Sequence, residues 1–370
     1  MPPKLGLYVH IPFCSVKCFY CDFASFAGRK DVAARYLSAL KAEAAMLGPR
    51  RPETLYIGGG TPSELEAGDI ERLFSTIREA YPESRFVETT FEANPESLSA
   101  EKLEVLKRWG VSRLSLGLQT TDAALLKSIG RRHSPEDFFS VFRLARETGN
   151  WALSVDLMYG LPGQTAASHR KSLEEVLALE PEHLSLYGLH VEDKTVFGRK
   201  GFETDEDAGR EMYETSLELI DKAGLARYEL SNFARPGFES LHNAIYWRDG
   251  EYIGLGCGAA SHLDGVRSSN VPSLIAYCAK VEGGARPIAE QEQLSGKEKL
   301  GEKILLGLRL AEGIDLEGPA RREFAREWSE LEDMRLVERA GSRVRLSREG
   351  VFLANEVFCR FVAPFAESAR

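Results

Sequence analysis

The sequence predicts an α/β chain built on a parallel sheet, with a smaller unit of helices and a hairpin behind it. Three observations carry that expectation. Six short apolar segments alternate with stretches of helical periodicity, as in successive βαβ units. Each apolar segment runs into polar or glycine-rich residues. A glycine- and proline-containing break at 282–287 then separates this region from a charged run of different pattern.

In chain order, a short β-like segment carries Tyr8 and His10 into a cysteine-bearing loop. Residues 31–47 read as a helix, with Val32, Ala33, Tyr36, Leu37, Leu40 and Ala44 at helical spacing and Gly48 and Pro49 as the stop. Residues 54–57 form a buried strand that meets Gly58, Gly59, Gly60, Thr61 and Pro62. A helix at 69–80 precedes a strand at 86–91, which ends at Glu92. A helix at 100–109 leads to a strand at 113–118, ending at Gln119. Helix 135–148 leads to strand 153–158, and helix 167–179 to strand 183–189. The alternation fits an open doubly wound sheet or an incomplete barrel, and in both the binding residues gather at the carboxyl ends of the strands.

The pattern then changes. Residues 193–207 are a charged connection, 209–223 an amphipathic helix and 228–233 a strand. His242, Asn243, Tyr246 and Trp247 follow, and then a glycine-rich stretch over 252–262 that permits close backbone approach. A histidine, an amide and two large rings suit a flat macrocycle, with imidazole for iron and rings for stacking. His262 and His190 are rival imidazoles. Beyond the break come helices at 297–310 and 321–334, a hairpin over 336–346 turning at Gly341 and Ser342, and a last helix at 348–361. We divide the chain into 1–200, an extension at 201–283 that carries the histidine motif, and a winged-helix-like module at 284–370.

Cys14, Cys18 and Cys21 form a C-x3-C-x2-C run directly after the first strand. An odd number of thiols within eight residues has no disulfide logic. Isolated cysteines serve as small buried hydrophobes, but a cluster beside Pro12 and Lys17 does not fit that role. Structural zinc needs a fourth ligand, with His10 the near candidate, and no second C-x2-C follows. An iron–sulfur cluster on three thiolates would leave one iron open.

Composition limits the alternatives. The 370 residues are 43% hydrophobic and 28% charged, with a net charge of −9, which argues against nucleic acid as a partner. No apolar run reaches membrane-spanning length, and no signal-like apolar core opens the chain. Six unevenly placed cysteines suit a reducing cytoplasm, with room for peripheral membrane contact. Cys257, Cys278 and Cys359 read as incidental thiols.

The cysteine run after an N-terminal strand resembles that of the radical S-adenosylmethionine (SAM) enzymes. The residues Tyr8 to Cys14 narrow the resemblance to the group holding oxygen-independent coproporphyrinogen III oxidases and HemW-type heme chaperones. That resemblance implies a partial (β/α)6 barrel in which Cys14, Cys18 and Cys21 hold a [4Fe–4S] cluster that binds SAM. Tyr8 and Tyr20 would lie beside the cluster and its SAM. Gly59, Gly60 and Thr61 would contact SAM's methionine part or a second ligand, and Glu92 would accept hydrogen bonds from SAM. Gln119, Arg131 and Asp156 would line the remaining cavity. Each of these also has a plainer use as a turn, a helix cap or a surface charge.

Two members of the group differ in chemistry. The oxidase uses a 5′-deoxyadenosyl radical to decarboxylate propionates, and its motif carries a further cysteine where this chain has Phe23. The pattern of His242, Asn243, Tyr246 and Trp247 resembles the heme-associated motif of the chaperones. The resemblance therefore implies heme binding at these four residues, delivery to acceptor proteins (membrane respiratory enzymes among them), and leaves a homodimer open. A third reading, a winged-helix regulator with a zinc-stabilised barrel, requires a basic recognition helix, and here the C-terminal arginines are interleaved with glutamates.

Overall fold

The computed structural model describes residues 3–365; Met1 and Pro2, part of the stretch read for a signal, and residues 366–370 at the end of the last module lie outside it. The chain begins with β1 (Leu5–Ile11), α1 (Ala33–Met46), β2 (Thr54–Gly59), α2 (Ala67–Ala80) and β3 (Glu88–Ala93). It continues with α3 (Ala100–Arg108), β4 (Arg113–Gln119), α4 (Ala123–Ser128), α5 (Pro135–Thr148) and β5 (Ala152–Tyr159). Next come α6 (Ala166–Leu177), β6 (His183–Gly188), α7 (Val196–Arg199), α8 (Glu206–Lys222), β7 (Ala226–Arg227) and β8 (Asn232–Ala234). The six expected βα units are present, and the starts of α3, α5 and α6 lie where Ser99, Ser134 and Thr165 accept a backbone N–H of the first turn.

After β8 the chain forms α9 (Leu241–Trp247), β9 (Glu251–Leu255), β10 (Ala260–Leu263), β11 (Val266–Asn270), α10 (Leu274–Glu282) and β12 (Ile288–Glu292). One mixed sheet among the described residues takes the order β12-β11-β10-β9-β1-β2-β3-β4-β5-β6-β8-β7 and is not closed. β1 to β6 pair in parallel, and β9 adds a seventh parallel strand beside β1, with Leu5 opposite Glu251. The glycine-rich stretch thus receives its own chain: Cβ atoms at Gly254 and Gly256 would strike the Ala260 carbonyl and the Tyr36 hydroxyl. Glu43 of α1 fixes this junction, accepting from Gly256 N (2.8 Å), Asn270 Nδ2 (2.6 Å) and Tyr277 Oη (2.5 Å).

The expected strand at 228–233 is divided because Glu229 is fully buried between β7 and β8, where it accepts from Ser231 N and Asn232 Nδ2. Beyond β12 lie α11 (Gly296–Leu308), β13 (Ile314–Asp315), α12 (Pro319–Glu323), α13 (Ala325–Asp333), β14 (Val337–Ala340), β15 (Arg343–Leu346), α14 (Arg348–Phe352) and α15 (Ala354–Cys359). The hairpin β14–β15 takes β13 as a third strand over a separate apolar core that includes Ile304, Phe324, Trp328, Val344 and Phe361. Each of the two expected terminal helices is broken once. Among the described residues no helix is long and apolar enough to cross a membrane.

Candidate functional site

The cysteine loop is clamped over the carboxyl ends of the strands. Phe19 N donates to Ile129 O (3.0 Å), and Phe19 O accepts from Phe197 N (3.1 Å). Phe26 N reaches Pro12 O (2.7 Å) and Gly28 N reaches Cys14 O (3.2 Å). Phe19 and Tyr20 pack against a small core of Ile129, Met158, Leu161, Leu189 and Phe197. His10 is buried, and both its ring nitrogens are engaged, Nε2 with Ala24 O (2.8 Å) and Nδ1 with Tyr8 Oη (3.0 Å). It braces the loop from below, so the fourth ligand that structural zinc requires is already bonded elsewhere.

A pocket of about 390 Å³ opens beneath the loop. Cys14, Cys18, Cys21 and Tyr20 form one wall, and Gly59, Gly60, Thr61, Glu92, Gln119, Arg131 and Asp156 line the rest. Of the expected SAM-site residues, Tyr8 alone stands off this lining. It lies deeper in the barrel, with its ring 6.0 Å from that of Tyr56. Among the described residues no three His, Cys, Asp or Glu side chains converge on a single ion's position.

The charged groups of this pocket are under-supplied with partners. Glu92 accepts from Tyr56 Oη (2.6 Å) and Gly59 N (3.0 Å), and burial pushes its carboxyl up to about 7. Burial likewise pushes Asp156 up to about 6, against hydrogen bonds from Ser185 and Ser115. Arg131 donates to Asn94 Oδ1 (3.1 Å) and Gly117 O and approaches Cys18 Sγ (3.9 Å), while its Nε is buried without an acceptor. A Cβ at Gly117 would collide with Arg131 Nη2 (2.5 Å), so only glycine lets that guanidinium lie across the strand. Gln119 adopts a left-handed φ of 75° at the irregular end of β4, a conformation that costs about 1–3 kcal/mol and collects at binding sites. Two cation-seeking carboxylates, an arginine with a free Nε and three thiols along one wall suit an iron–sulfur cluster and SAM's ammonium, carboxylate and hydroxyl groups.

Comparisons with known proteins place the fold in a family. Residues 8–176 match the radical SAM superfamily model, and 294–353 the HemN C-terminal domain. The chain is 38% identical to the heme chaperone HemW of Bacillus subtilis, over 96% of this chain and 98% of that one. It is 39% identical to the heme chaperone HemW of Escherichia coli over 70% of each. The chain belongs to the HemW family of radical SAM proteins. Among solved structures, coproporphyrinogen III oxidase (HemN) from Escherichia coli superposes with a TM-score of 0.85 at 23% identity, covering 98% of this chain and 91% of that chain, which is a likeness of fold. Phe23, two residues past Cys21, is 64% exposed beside the cysteine wall.

The stretch with His242, Asn243, Tyr246 and Trp247 lies at the other end of the barrel. Helix α9 plugs the amino ends of the strands, and its start is held by groups at the first residues of three of them. Glu88 accepts from Leu241 N (3.0 Å) and His242 N (2.9 Å), and Arg113 donates to Phe238 O (2.7 Å) and Glu239 O (3.2 Å). His242 is fully buried, with Nδ1 on Thr54 Oγ1 (2.8 Å) and Nε2 on Tyr246 Oη (2.8 Å). Burial lowers it to about 3, so the ring is neutral, and in this conformation both nitrogens are used. Tyr246 packs on Tyr252 (4.6 Å), whereas Trp247 faces outward into a cleft against α11 and Asn243 is half-buried. Of the rival imidazoles, His262 is buried with Nδ1 near Gly250 O (3.1 Å), and His190 is exposed on the wall of the cysteine pocket.

Sequence reasoning missed Asn94, Ser115, Gly117 and Tyr187, all of which line the pocket. Asn94 joins Thr61 (3.2 Å) to Arg131, and its place right after Glu92 and Ala93 at a strand end was the available signal.

Proposed function

We propose that this chain binds heme and hands it to acceptor proteins while holding a [4Fe–4S] cluster on Cys14, Cys18 and Cys21 and SAM in the adjoining pocket. The observation that carries the reading is similarity over nearly the full length to proteins named heme chaperones, supported by a phenylalanine at the oxidase's extra cysteine position. A cluster bound at the three thiolates would supply a redox-active metal centre with one iron free for SAM. The chain's own residues would do the rest. Glu92 and Asp156 would meet SAM's ammonium and hydroxyl groups, and Arg131 its carboxylate. Gly59, Gly60 and Thr61 would let it approach the backbone, and Gln119 would close the lining. Tyr20 would shield the cluster, and Tyr8 would support the floor through Tyr56.

Heme transfer itself needs no radical, so in this reading the cluster and SAM gate transfer or pairing of two copies. His242 and Tyr246 serve heme by fixing α9, with Asn243 on its flank and Trp247 turned toward the ligand. The acceptors are heme proteins on the cytoplasmic side, membrane respiratory enzymes among them. The test is anaerobic reconstitution with iron and sulfide, then hemin titration monitored at the Soret band, with a parallel assay for SAM-dependent coproporphyrinogen decarboxylation. Saturable, near-stoichiometric hemin binding without decarboxylation supports the chaperone. Decarboxylation with only non-specific hemin uptake supports the oxidase.

A further inference from the structure

A second cavity, of about 580 Å³, lies where α9 meets the C-terminal unit. Its volume falls in the range of about 300–1,000 Å³ usual for small-molecule sites. Trp247 forms one wall; Leu300 and Ile304 of α11 form another, and Ile314 and Ala320 close it. Gly307 keeps the floor flat, since a Cβ there would strike the Ile314 side chain. On its other side the Trp247 ring carries the Arg309 guanidinium, 4.2 Å from the centroid, which fixes the indole as a rigid face. The indole N–H is buried without an acceptor.

The charges of this cleft sit at its edge. Arg248 is paired with Glu312 (3.3 Å), and Arg343 is paired with Asp315 (3.8 Å) and Glu312 (3.9 Å) while donating to Glu312 O (2.9 Å) and Gly313 O (2.6 Å). Lys303 is exposed and has no partner among the described residues, and Glu317 is an unpaired acid on the rim. An apolar slot with one rigid aromatic wall and an unpaired lysine at its edge suits a flat hydrophobic ring that carries a carboxylate on one side. No histidine, cysteine, methionine or tyrosine lines it.

We infer that this cleft is the tetrapyrrole site, and that it grips the ring faces and a propionate rather than the metal. Trp247 stacks on the macrocycle, Lys303 meets a propionate, and the iron keeps its axial positions for an acceptor's own ligand. This rests on the heme-carrying reading above and adds where, and by which atoms, the ligand is held. It also gives the family motif a division of labour: His242 and Tyr246 hold α9 in place, and Trp247 presents the ligand face.

The experiment titrates the full-length, cluster-reconstituted protein with hemin, zinc protoporphyrin IX and metal-free protoporphyrin IX, following porphyrin absorbance and tryptophan quenching. The three ligands should bind within about threefold of one another. Ala320→Trp, which fills the slot, and Lys303→Glu, which reverses the rim charge, should each weaken all three at least tenfold. Thermal melting of both variants should stay at the parent value. If hemin binds but the metal-free ring does not, or if both variants bind as the parent does, the cleft assignment is overturned while the heme-carrying reading stands. If none of the three binds the parent protein saturably, both fall.

Discussion

Replacing Glu92 by glutamine separates what this carboxylate costs the fold from what it does in the pocket. Its folded pKa lies above its unfolded value, so folding favours the proton. The penalty is absent below about pH 4.5, grows as pH rises, and is complete above about pH 7. A rise from 4.5 to about 7 corresponds to about 3 kcal/mol. We discount that to about 2 kcal/mol because the carboxylate lines an open pocket. Glu92→Gln should therefore raise the melting temperature of the cluster-free protein by roughly 3 °C at pH 8, given an unfolding entropy of about 2 cal/mol/K per residue. At pH 4 the gain should vanish, since glutamine then replaces a protonated acid of the same shape. SAM affinity of the reconstituted protein, measured by equilibrium dialysis, should fall at least tenfold. A melting gain that is equal at both pH values, or SAM binding that survives the change, would refute the reasoning.

Other outcomes follow from the same geometry. Arg113→Met leaves Glu88 charged and buried at the start of α9, where both partners are 6% exposed; it should destabilise the protein by about 3–5 kcal/mol in denaturant titration. Phe23→Ala removes an exposed ring and should change stability by less than about 0.5 kcal/mol, leaving cluster absorbance intact. Cys18→Ser should abolish the cluster's visible absorbance; unchanged heme delivery in that variant would rule out gating by the cluster. Arg131→Lys should not rescue SAM binding lost in Arg131→Ala, because a point charge cannot span Asn94 and the Gly117 carbonyl together.

The βα alternation was readable because each strand is a short apolar run with a helix-periodic stretch after it, and the cysteine run was readable from spacing alone. Single positions at strand ends, such as Glu92 and Asp156, could be placed in one pocket only through topology. The position of α9 was not readable. Its burial depends on Glu88, Arg113 and Thr54, which lie at least 125 residues away in sequence and look like ordinary strand-start residues. The same holds for β9, whose partner β1 lies at the opposite end of the barrel region in sequence; its glycines therefore read as a ligand approach when they serve a strand junction. His242 shows the limit most clearly. A histidine beside two aromatics suggests a metal ligand, and its ring contacts to Thr54 and Tyr246 become visible only in the fold.

The most direct test of the account is transfer. Reconstituted protein loaded with one equivalent of hemin would be mixed anaerobically with an apo-heme protein that supplies its own axial histidine, with and without SAM. The account predicts that heme moves to the acceptor faster than from free hemin at the same concentration, and that SAM changes the rate. Retention of heme by this chain, or transfer no faster than from free hemin, would contradict it.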